Sequence, residues 1–143
     1  MNAIDTNVWI YCHDVRDPEK QKIAQRLIET VEPIVLLWQV GCEFIAAARK
    51  LEPFGFNQEQ AWQSLADMQA MVDTVLLPTP ELWPRCQAIQ QQHGIHFWDA
   101  IIIATCIHYR VTTLYSEDIG ENDDLHGLRI VNPFRKGETG EYH

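Results

Sequence analysis

The chain has 143 residues, 46% of them hydrophobic, and a formal net charge of −9 from 20 acids against 11 basic residues. This length suits one globular domain. The acidic balance argues against generic binding to a phosphate backbone, which needs a basic surface. Metal ions held by some of the acids would attract phosphate locally, so a metal-dependent nuclease is still compatible with this charge.

No apolar run in the sequence is long enough to cross a bilayer. The first residues lack the basic segment of a signal peptide and include Asp5, so we expect a cytoplasmic protein without membrane contacts. The cysteines are widely spaced and form no C-x-x-C pair, which favours small buried residues over a disulfide or a zinc site. They are Cys12, Cys42, Cys86 and Cys106.

The N-terminus predicts a short buried strand at residues 3–4 that stops at Asp5. A short helix over residues 6–12 follows directly, which places the Asp5 carboxylate at the C-terminal tip of the strand. In open α/β sheets ligands bind at such tips. Asp17 then precedes a proline, the pattern of an N-cap followed by the first helical residue, and predicts a helix over residues 18–31.

A continuous apolar run at residues 34–37 is typical of a parallel strand that is covered on both faces. Residues 38–50 follow with helical spacing of apolar side chains, and Glu43 lies at the edge of that apolar stripe, near the helix start. A capping-box pattern predicts another helix over residues 57–72, and residues 74–77 form a candidate strand.

Several prolines precede the next predicted helix, which runs to His93 and stops at Gly94. The most apolar helix of the chain is predicted over residues 97–109 and carries Asp99 in its first turn. Such a helix, apolar nearly all round, is expected at the centre of the fold.

The C-terminal part predicts a strand at residues 112–115 that ends in Ser116, Glu117 and Asp118. A polar loop is expected up to Gly127, followed by a last short strand at residues 128–131. Strands that alternate with helices indicate an α/β fold with a central parallel sheet of four or five strands and helices on both faces. We expect one domain over residues 1–134 and a flexible C-terminal tail over residues 135–143.

Four acids are predicted to converge at one edge of this sheet, because the C-termini of parallel strands share an edge. They are Asp5, Glu43, Asp99 and Asp118. Carboxylates that lie so close together repel one another and take up protons unless a cation compensates their charge. Oxygen ligands of this kind suit Mg²⁺ or Mn²⁺. Such ions activate water and stabilise the leaving oxygen of a phosphodiester, so no nucleophilic Ser or Cys is required.

Each acid also has a purely structural interpretation. Asp5 is equally suited to capping the helix that follows it, and Glu43 is the kind of helical residue that is usually solvated. Asp99 would stabilise a helix dipole, and Asp118 alone reads as a turn residue. Only the four acids taken together favour a catalytic metal site.

With these residues in place, the chain resembles the PIN-domain family, most closely the VapC-type toxins of bacterial toxin–antitoxin pairs. The resemblance covers nearly the whole chain and rests on an ordered set of short matches. These are Asp5-Thr6-Asn7, Glu43 on the helix after the second strand, Phe97-Trp98-Asp99-Ala100, residues 114–118, and Val131-Asn132-Pro133-Phe134 at the end.

This resemblance implies an Mg²⁺- or Mn²⁺-dependent endoribonuclease, the toxin of a type II pair. It implies Asp5 and Asp99 as the most direct metal ligands, with Glu43 and Asp118 completing the acidic pocket. Thr6, Asn7 and Ser116 would orient these carboxylates through hydrogen bonds. A further acid follows the Asp118 position in some members, and the candidates here are Glu121, Asp123 and Asp124.

The resemblance also implies a homodimer and a cognate antitoxin, of which a peptide would place Arg or Lys among the carboxylates. Two other hypotheses remain. One is a catalytically silent PIN fold that acts through protein contacts alone. The other is a receiver-like signalling domain, which would need a phosphoacceptor Asp at the third strand and a Lys after the fifth. Pro78 stands near that point instead, and no Lys lies between Lys50 and Lys136.

Overall fold

The computed structural model describes residues 1–135. The predicted tail over residues 135–143 therefore lies outside the described residues, except for Arg135, which is exposed. No helix among residues 1–135 is long and apolar enough to cross a membrane.

The described chain contains six α-helices and six strands, and the last three elements are strands. The helices are α1 (Thr6–Tyr11), α2 (Pro18–Thr30), α3 (Trp38–Ala48), α4 (Gln58–Met71), α5 (Leu82–His93) and α6 (Phe97–His108). The strands are β1 (Asn2–Ile4), β2 (Ile34–Leu37), β3 (Val75–Leu76), β4 (Thr113–Tyr115), β5 (Asn122–Leu125) and β6 (Leu128–Val131). A 3₁₀ helix (Arg49–Phe54) continues α3, which ends two residues before the predicted position.

All strands join one sheet in the order β3-β2-β1-β4-β6-β5. The first five of these are parallel, and only β5 runs antiparallel, paired with β6. The α/β fold with a mostly parallel sheet and flanking helices is confirmed. The loop predicted before Gly127 is wrong, because residues 122–125 pair with β6 as a sixth strand.

Local signals in the sequence account for several helix ends. The Asn57 side chain accepts a hydrogen bond from the backbone N–H of Gln60, whose side chain accepts one in return from Asn57 N–H. Asp17 caps α2 by accepting from the N–H of Lys20. Gly94 ends α5 with a φ of 62°, a left-handed conformation that glycine adopts without strain.

The core is centred on α6 and the middle strands. Residues 100–106 of α6 are all buried, as are the four residues of β2. The prediction of four buried cysteines is wrong for Cys42, which is exposed on α3, whereas the other three are buried. Cys42 lies on the outer side of an amphipathic helix whose inner face is filled by Val40 and Phe44.

This topology brings three chain segments to one edge of the sheet. The strands β1, β2 and β4 are adjacent and parallel, so their C-termini lie side by side. Asp5 follows β1, α3 begins directly after β2, and residues 116–118 follow β4. The backbone N–H of Asp5 donates to the Tyr115 carbonyl at 2.8 Å, which joins two of these tips directly.

Candidate active site

The four predicted acids line a single open cavity of about 370 Å³ at this edge of the sheet. Asp5 comes from the tip of β1, and Glu43 from the second turn of α3. Asp99 comes from the first turn of α6, and Asp118 from the segment after β4. Four carboxylates distant in sequence thus face one volume.

Asp5 is both a helix cap and a member of the acidic cluster. One of its carboxylate oxygens accepts from the N–H of Thr6 at 2.7 Å, as the N-cap of α1. The other accepts from the Ser116 hydroxyl at 2.7 Å. Only 5% of the residue is exposed. The capping role is therefore confirmed, and it is compatible with the position of Asp5 in the acidic cluster.

The environment of Asp5 favours its protonated form. Its pKa is raised from the ordinary 3.8 to about 6, mainly by burial and to a smaller extent by the charges of Glu43 and Asp99. The hydrogen bonds from Ser116 and Thr6 act in the opposite direction without cancelling the effect of burial. A positive charge close to Asp5 would therefore stabilise its ionised carboxylate.

Glu43 is half-buried and held by two donors rather than solvated. The Thr6 hydroxyl donates to one carboxylate oxygen at 2.9 Å, and the Gln39 amide donates to the other at 2.6 Å. Gln39 also donates to the Trp98 carbonyl at 3.2 Å, which ties α3 to the start of α6. The orientation of Glu43 is therefore set by Thr6 of α1 and by Gln39 of its own helix.

Asp99 and Asp118 complete the cluster from its more open side. Asp99 is half-buried, and its pKa is raised by burial and by the charges of Asp118 and Glu43, against the opposing effect of His96. Asp118 is exposed and accepts a hydrogen bond from the Asn7 amide at 2.9 Å. The four carboxylates are therefore linked electrostatically, since the charge of Glu43 acts on both Asp5 and Asp99 and that of Asp118 acts on Asp99.

The three residues expected to orient the acids each donate a hydrogen bond to one of them. Thr6 donates to Glu43, Asn7 to Asp118 and Ser116 to Asp5. The side-chain oxygen of Asn7 also accepts from the N–H of Glu117 at 3.5 Å, so one residue contacts two positions of the segment after β4.

None of the three candidates for a further acid lines this cavity. Glu121 pairs with Arg135 and accepts from the N–H of Asn132. Asp124 accepts from the N–H of Gly127 in the turn between β5 and β6. Asp123 lies on the antiparallel strand β5 and is exposed.

The sequence reasoning missed the basic side of the cavity. Arg16 and Lys50 line it together with the four acids, and so does the buried Asp14. Helical spacing contained only part of this signal. Lys50 follows Glu43 by seven residues and therefore lies on nearly the same helix face, but no local pattern places Arg16 at the same cavity. A second missed contact is the ion pair between Lys20 and Glu117 beside the cluster.

No group of three or more His, Cys, Asp or Glu side chains within residues 1–135 is placed as a ready-made metal cage. Protein donors occupy the carboxylate oxygens instead, as described for Asp5, Glu43 and Asp118. The donor set itself consists of carboxylate oxygens around one cavity, which is the chemistry that Mg²⁺ and Mn²⁺ prefer.

A family model described as the PIN domain matches residues 3–120. This match spans β1 to the segment after β4 and includes all four acids. No curated protein matches the chain significantly in sequence.

Several solved structures share the fold. A toxin–antitoxin complex from Klebsiella pneumoniae is 18% identical with a TM-score of 0.69, over 94% of this chain and 98% of the other. Mycobacterium tuberculosis VapC20, a sarcin–ricin loop cleaving toxin, is 17% identical with a TM-score of 0.67, over 83% and 92%. VapBC2 from Rickettsia felis, bound to a DNA fragment of its promoter, is 16% identical with a TM-score of 0.63, over 92% and 97%. At such identities the likeness concerns the fold.

Proposed function

The chain belongs to the PIN domain family, and we propose that it is an Mg²⁺- or Mn²⁺-dependent endoribonuclease, the toxin of a type II toxin–antitoxin pair. The observation that carries this proposal is the convergence of four carboxylates on one open cavity at the C-terminal edge of a parallel sheet. The fold neighbours support it, since one is a toxin that cleaves the sarcin–ricin loop and another is a toxin–antitoxin complex.

The residues present fit a divalent metal in donor type and in electrostatics. Asp5 and Asp99 both have raised pKa values because of burial and neighbouring negative charge, and a bound cation would offset both effects by stabilising the ionised carboxylates. We assign these two as the most direct ligands, with Glu43 and Asp118 completing the site. A bound Mg²⁺ or Mn²⁺ would supply activation of water and stabilisation of the leaving oxygen of a phosphodiester.

The side chains around the acids orient these carboxylates. Ser116 and the N–H of Thr6 fix both oxygens of Asp5, and Gln39 together with the Thr6 hydroxyl fixes Glu43. Such fixed partners reduce the reorganisation needed when a cation and a substrate bind.

The chain offers no protein nucleophile at this site. No Cys or Ser lines the cavity, and burial raises the pKa of the Cys12 thiol to about 12 and that of Cys106 above its ordinary range. Two hydroxyl-bearing side chains line it, and both hydroxyls donate to carboxylates: that of Thr6 to Glu43 and that of Tyr11 to Glu117. These facts favour direct hydrolysis by water over a covalent intermediate.

We further propose that this cytoplasmic protein forms a homodimer and binds a cognate antitoxin. An apolar groove of about 530 Å³ between α3 and α4 supports a second copy as one partner. Trp38 and Trp62 line it and are 52% and 58% exposed, and exposed tryptophans of this kind are enriched at interfaces. Light scattering on the purified protein measures the mass directly, and a monomer at micromolar concentration contradicts the homodimer.

The acidic cavity supports an antitoxin peptide that carries Arg or Lys, because a guanidinium pairs with carboxylates in a bidentate manner. The gene immediately upstream is the simplest check. A small open reading frame with a DNA-binding N-terminus supports the toxin assignment, and its co-purification with this chain tests the complex.

Substitution of Asp5 by Asn tests the catalytic proposal. We expect Asp5→Asn to abolish metal-dependent cleavage of single-stranded RNA, because it removes one charged ligand while preserving side-chain shape. Glu121→Gln is the matched control, since this acid lies outside the cavity and pairs with Arg135. RNA cleavage by Asp5→Asn at the wild-type rate contradicts the mechanism.

The silent-PIN alternative has its own discriminating measurement. Calorimetric titration of the antitoxin-free protein with Mn²⁺ should show binding that Asp5→Asn weakens. Absence of any Mn²⁺ binding by the wild type favours a protein that acts through contacts alone. The receiver-like alternative lacks support, since β3 lies at the sheet edge and its C-terminus leads to Pro78 rather than to an acid.

A further inference from the structure

The cavity that holds the four acids also has a basic end formed by Arg16 and Lys50. The overall charge of −9 makes such a pair informative, because the surface as a whole repels a phosphate backbone. A strand of RNA that reaches the acids needs a local positive contact along its path.

On the α3 side of the cavity, one helix face carries an acidic residue near its N-terminal end and a basic residue beyond its C-terminal end. Glu43, Ala47, Lys50 and Leu51 line it, at spacings of four, seven and eight residues from the first. At a rise of about 1.5 Å per residue, Lys50 lies about 10 Å further along the axis than Glu43. Ala47 lies between them and Leu51 lies next to Lys50, and both add apolar surface to this side of the cavity.

The residues on the α1 side of the cavity are arranged in the same direction, with the basic residue last. Asn7, Ile10, Tyr11 and Asp14 line the cavity in turn, and Arg16 follows them. The helices α1 and α3 pack against each other, and each begins at the C-terminal edge of the sheet. The cavity is therefore a trough between the two helices, with the acids at their N-terminal ends and the cations beyond their C-terminal ends.

Arg16 is held in place from two sides. Its Nε and Nη2 donate to the two carboxylate oxygens of the buried Asp14, both at 2.9 Å. Its guanidinium carbon lies 4.6 Å from the ring centroid of Phe54. A guanidinium has five N–H donors, so this arrangement leaves donors of a fixed group for another ligand.

Lys50 provides the uncompensated charge. It is exposed, and it forms no hydrogen bond or ion pair with any residue of the described chain 1–135. Arg16 is neutralised by Asp14, whereas the Lys50 ammonium has no anion of its own.

We propose that Lys50, with Arg16 beside it, binds a backbone phosphate of a single-stranded RNA next to the phosphate that is cleaved. This inference rests on the proposed ribonuclease function and adds to it a subsite for the flanking nucleotide. A phosphodiester strand fits better than an acidic peptide, because the trough continues into the site where phosphate chemistry would occur.

The test measures binding of a fluorescent single-stranded RNA over a range of salt concentrations. Ca²⁺ replaces Mg²⁺ to keep the RNA intact, and a denaturing gel verifies that it is. The variants are Lys50→Gln and its matched control Arg49→Gln. Arg49 precedes Lys50 in the same 3₁₀ helix and is also exposed, but it does not line the cavity.

We expect Lys50→Gln to weaken RNA binding several-fold at low salt and to reduce the slope of log Kd against log salt by about 0.7, the effect of one single-strand phosphate contact. Arg49→Gln should bind like the wild type. In Mg²⁺, Lys50→Gln should raise KM for RNA cleavage with little change in kcat, since the contact is remote from the reacting phosphate.

The outcomes separate this inference from the proposed function. Wild-type binding and slope in Lys50→Gln, or an equal loss in Arg49→Gln, overturn the subsite while leaving the ribonuclease proposal intact. A wild-type protein that neither binds nor cleaves RNA overturns both. A short oligoglutamate peptide tests the other ligand class. If it binds the wild type and Lys50→Gln weakens its binding as much as that of RNA, the ligand is an acidic protein segment and the RNA subsite is overturned.

Discussion

The buried Asp5 carboxylate should destabilise the metal-free protein at neutral pH. Its folded pKa is about 6 against an ordinary value of 3.8. Between these values the folded state binds more protons than the unfolded state, so stability falls as the pH rises through this window. The difference corresponds to about 3 kcal/mol above pH 6, at about 1.36 kcal/mol per pKa unit.

Asp5→Asn should therefore stabilise the metal-free protein while it abolishes activity. The asparagine oxygen accepts from the N–H of Thr6, and its amide donates to Ser116, so both hydrogen bonds of the native carboxylate survive. Burial of the amide offsets part of the gain, and we expect a net gain of about 2 kcal/mol at about pH 7.5. This gain corresponds to a rise in Tm of roughly 4–8 °C for a chain of this size.

Thermal or urea unfolding in EDTA, at about pH 7.5 and at about pH 4, measures this effect. The gain should nearly vanish at the lower pH, where the native carboxylate is already protonated. Asp14→Asn is a control of opposite sign, because the hydrogen bond from Arg16 holds the pKa of Asp14 below its usual range. That variant should lose stability at neutral pH and lose less in acid. An Asp5→Asn protein no more stable than the wild type at both pH values refutes the reasoning.

Two further predictions concern the segment after β4. Ser116→Ala removes the donor that lowers the pKa of Asp5, so this pKa should rise above about 6. The acid limb of the profile of kcat/KM against pH should move to higher pH, and an unchanged limb argues against a role of Asp5 ionisation. Lys20→Met breaks the ion pair to Glu117 next to Asp118. We expect a loss of about 1–3 kcal/mol in unfolding free energy and a lower kcat, and a stability loss with unchanged kcat would show a purely structural role.

The parts of the fold that the sequence predicted well are those determined by local chemistry or by strong apolar patterns. The Asn57 capping box, the Gly94 helix stop and the buried helix α6 all lie within two residues of their predicted positions. Each depends on side chains that contact their own backbone or fill the core, so a single sequence contains the necessary information.

The strand β5 shows why other parts could not be predicted. The first three of its four residues are polar, and the strand lacks the alternation of a half-buried strand. It exists because β6 offers an unpaired edge and the turn at His126 and Gly127 reverses the chain, both with positive φ. Tertiary pairing, rather than intrinsic preference, therefore determines this element.

The candidate site divides in the same way. Strand tips in a parallel sheet share an edge, so the meeting of Asp5 with residues 116–118 followed from topology alone. The basic end did not follow, because it depends on how α1 and α3 pack along their length and on where the 3₁₀ helix places Lys50. Helix packing is a three-dimensional property that periodicity in one segment does not specify.

The dual role of Asp5 links the stability of the fold to its chemistry. A neutral cap such as Asn or Ser would satisfy the N–H of Thr6 equally well. The protein instead keeps a carboxylate that is 5% exposed, raised in pKa and surrounded by other acids. Such a residue destabilises the fold unless a cation binds to it. If added metal stabilises the wild type but not Asp5→Asn, the same carboxylate serves both the helix and the metal.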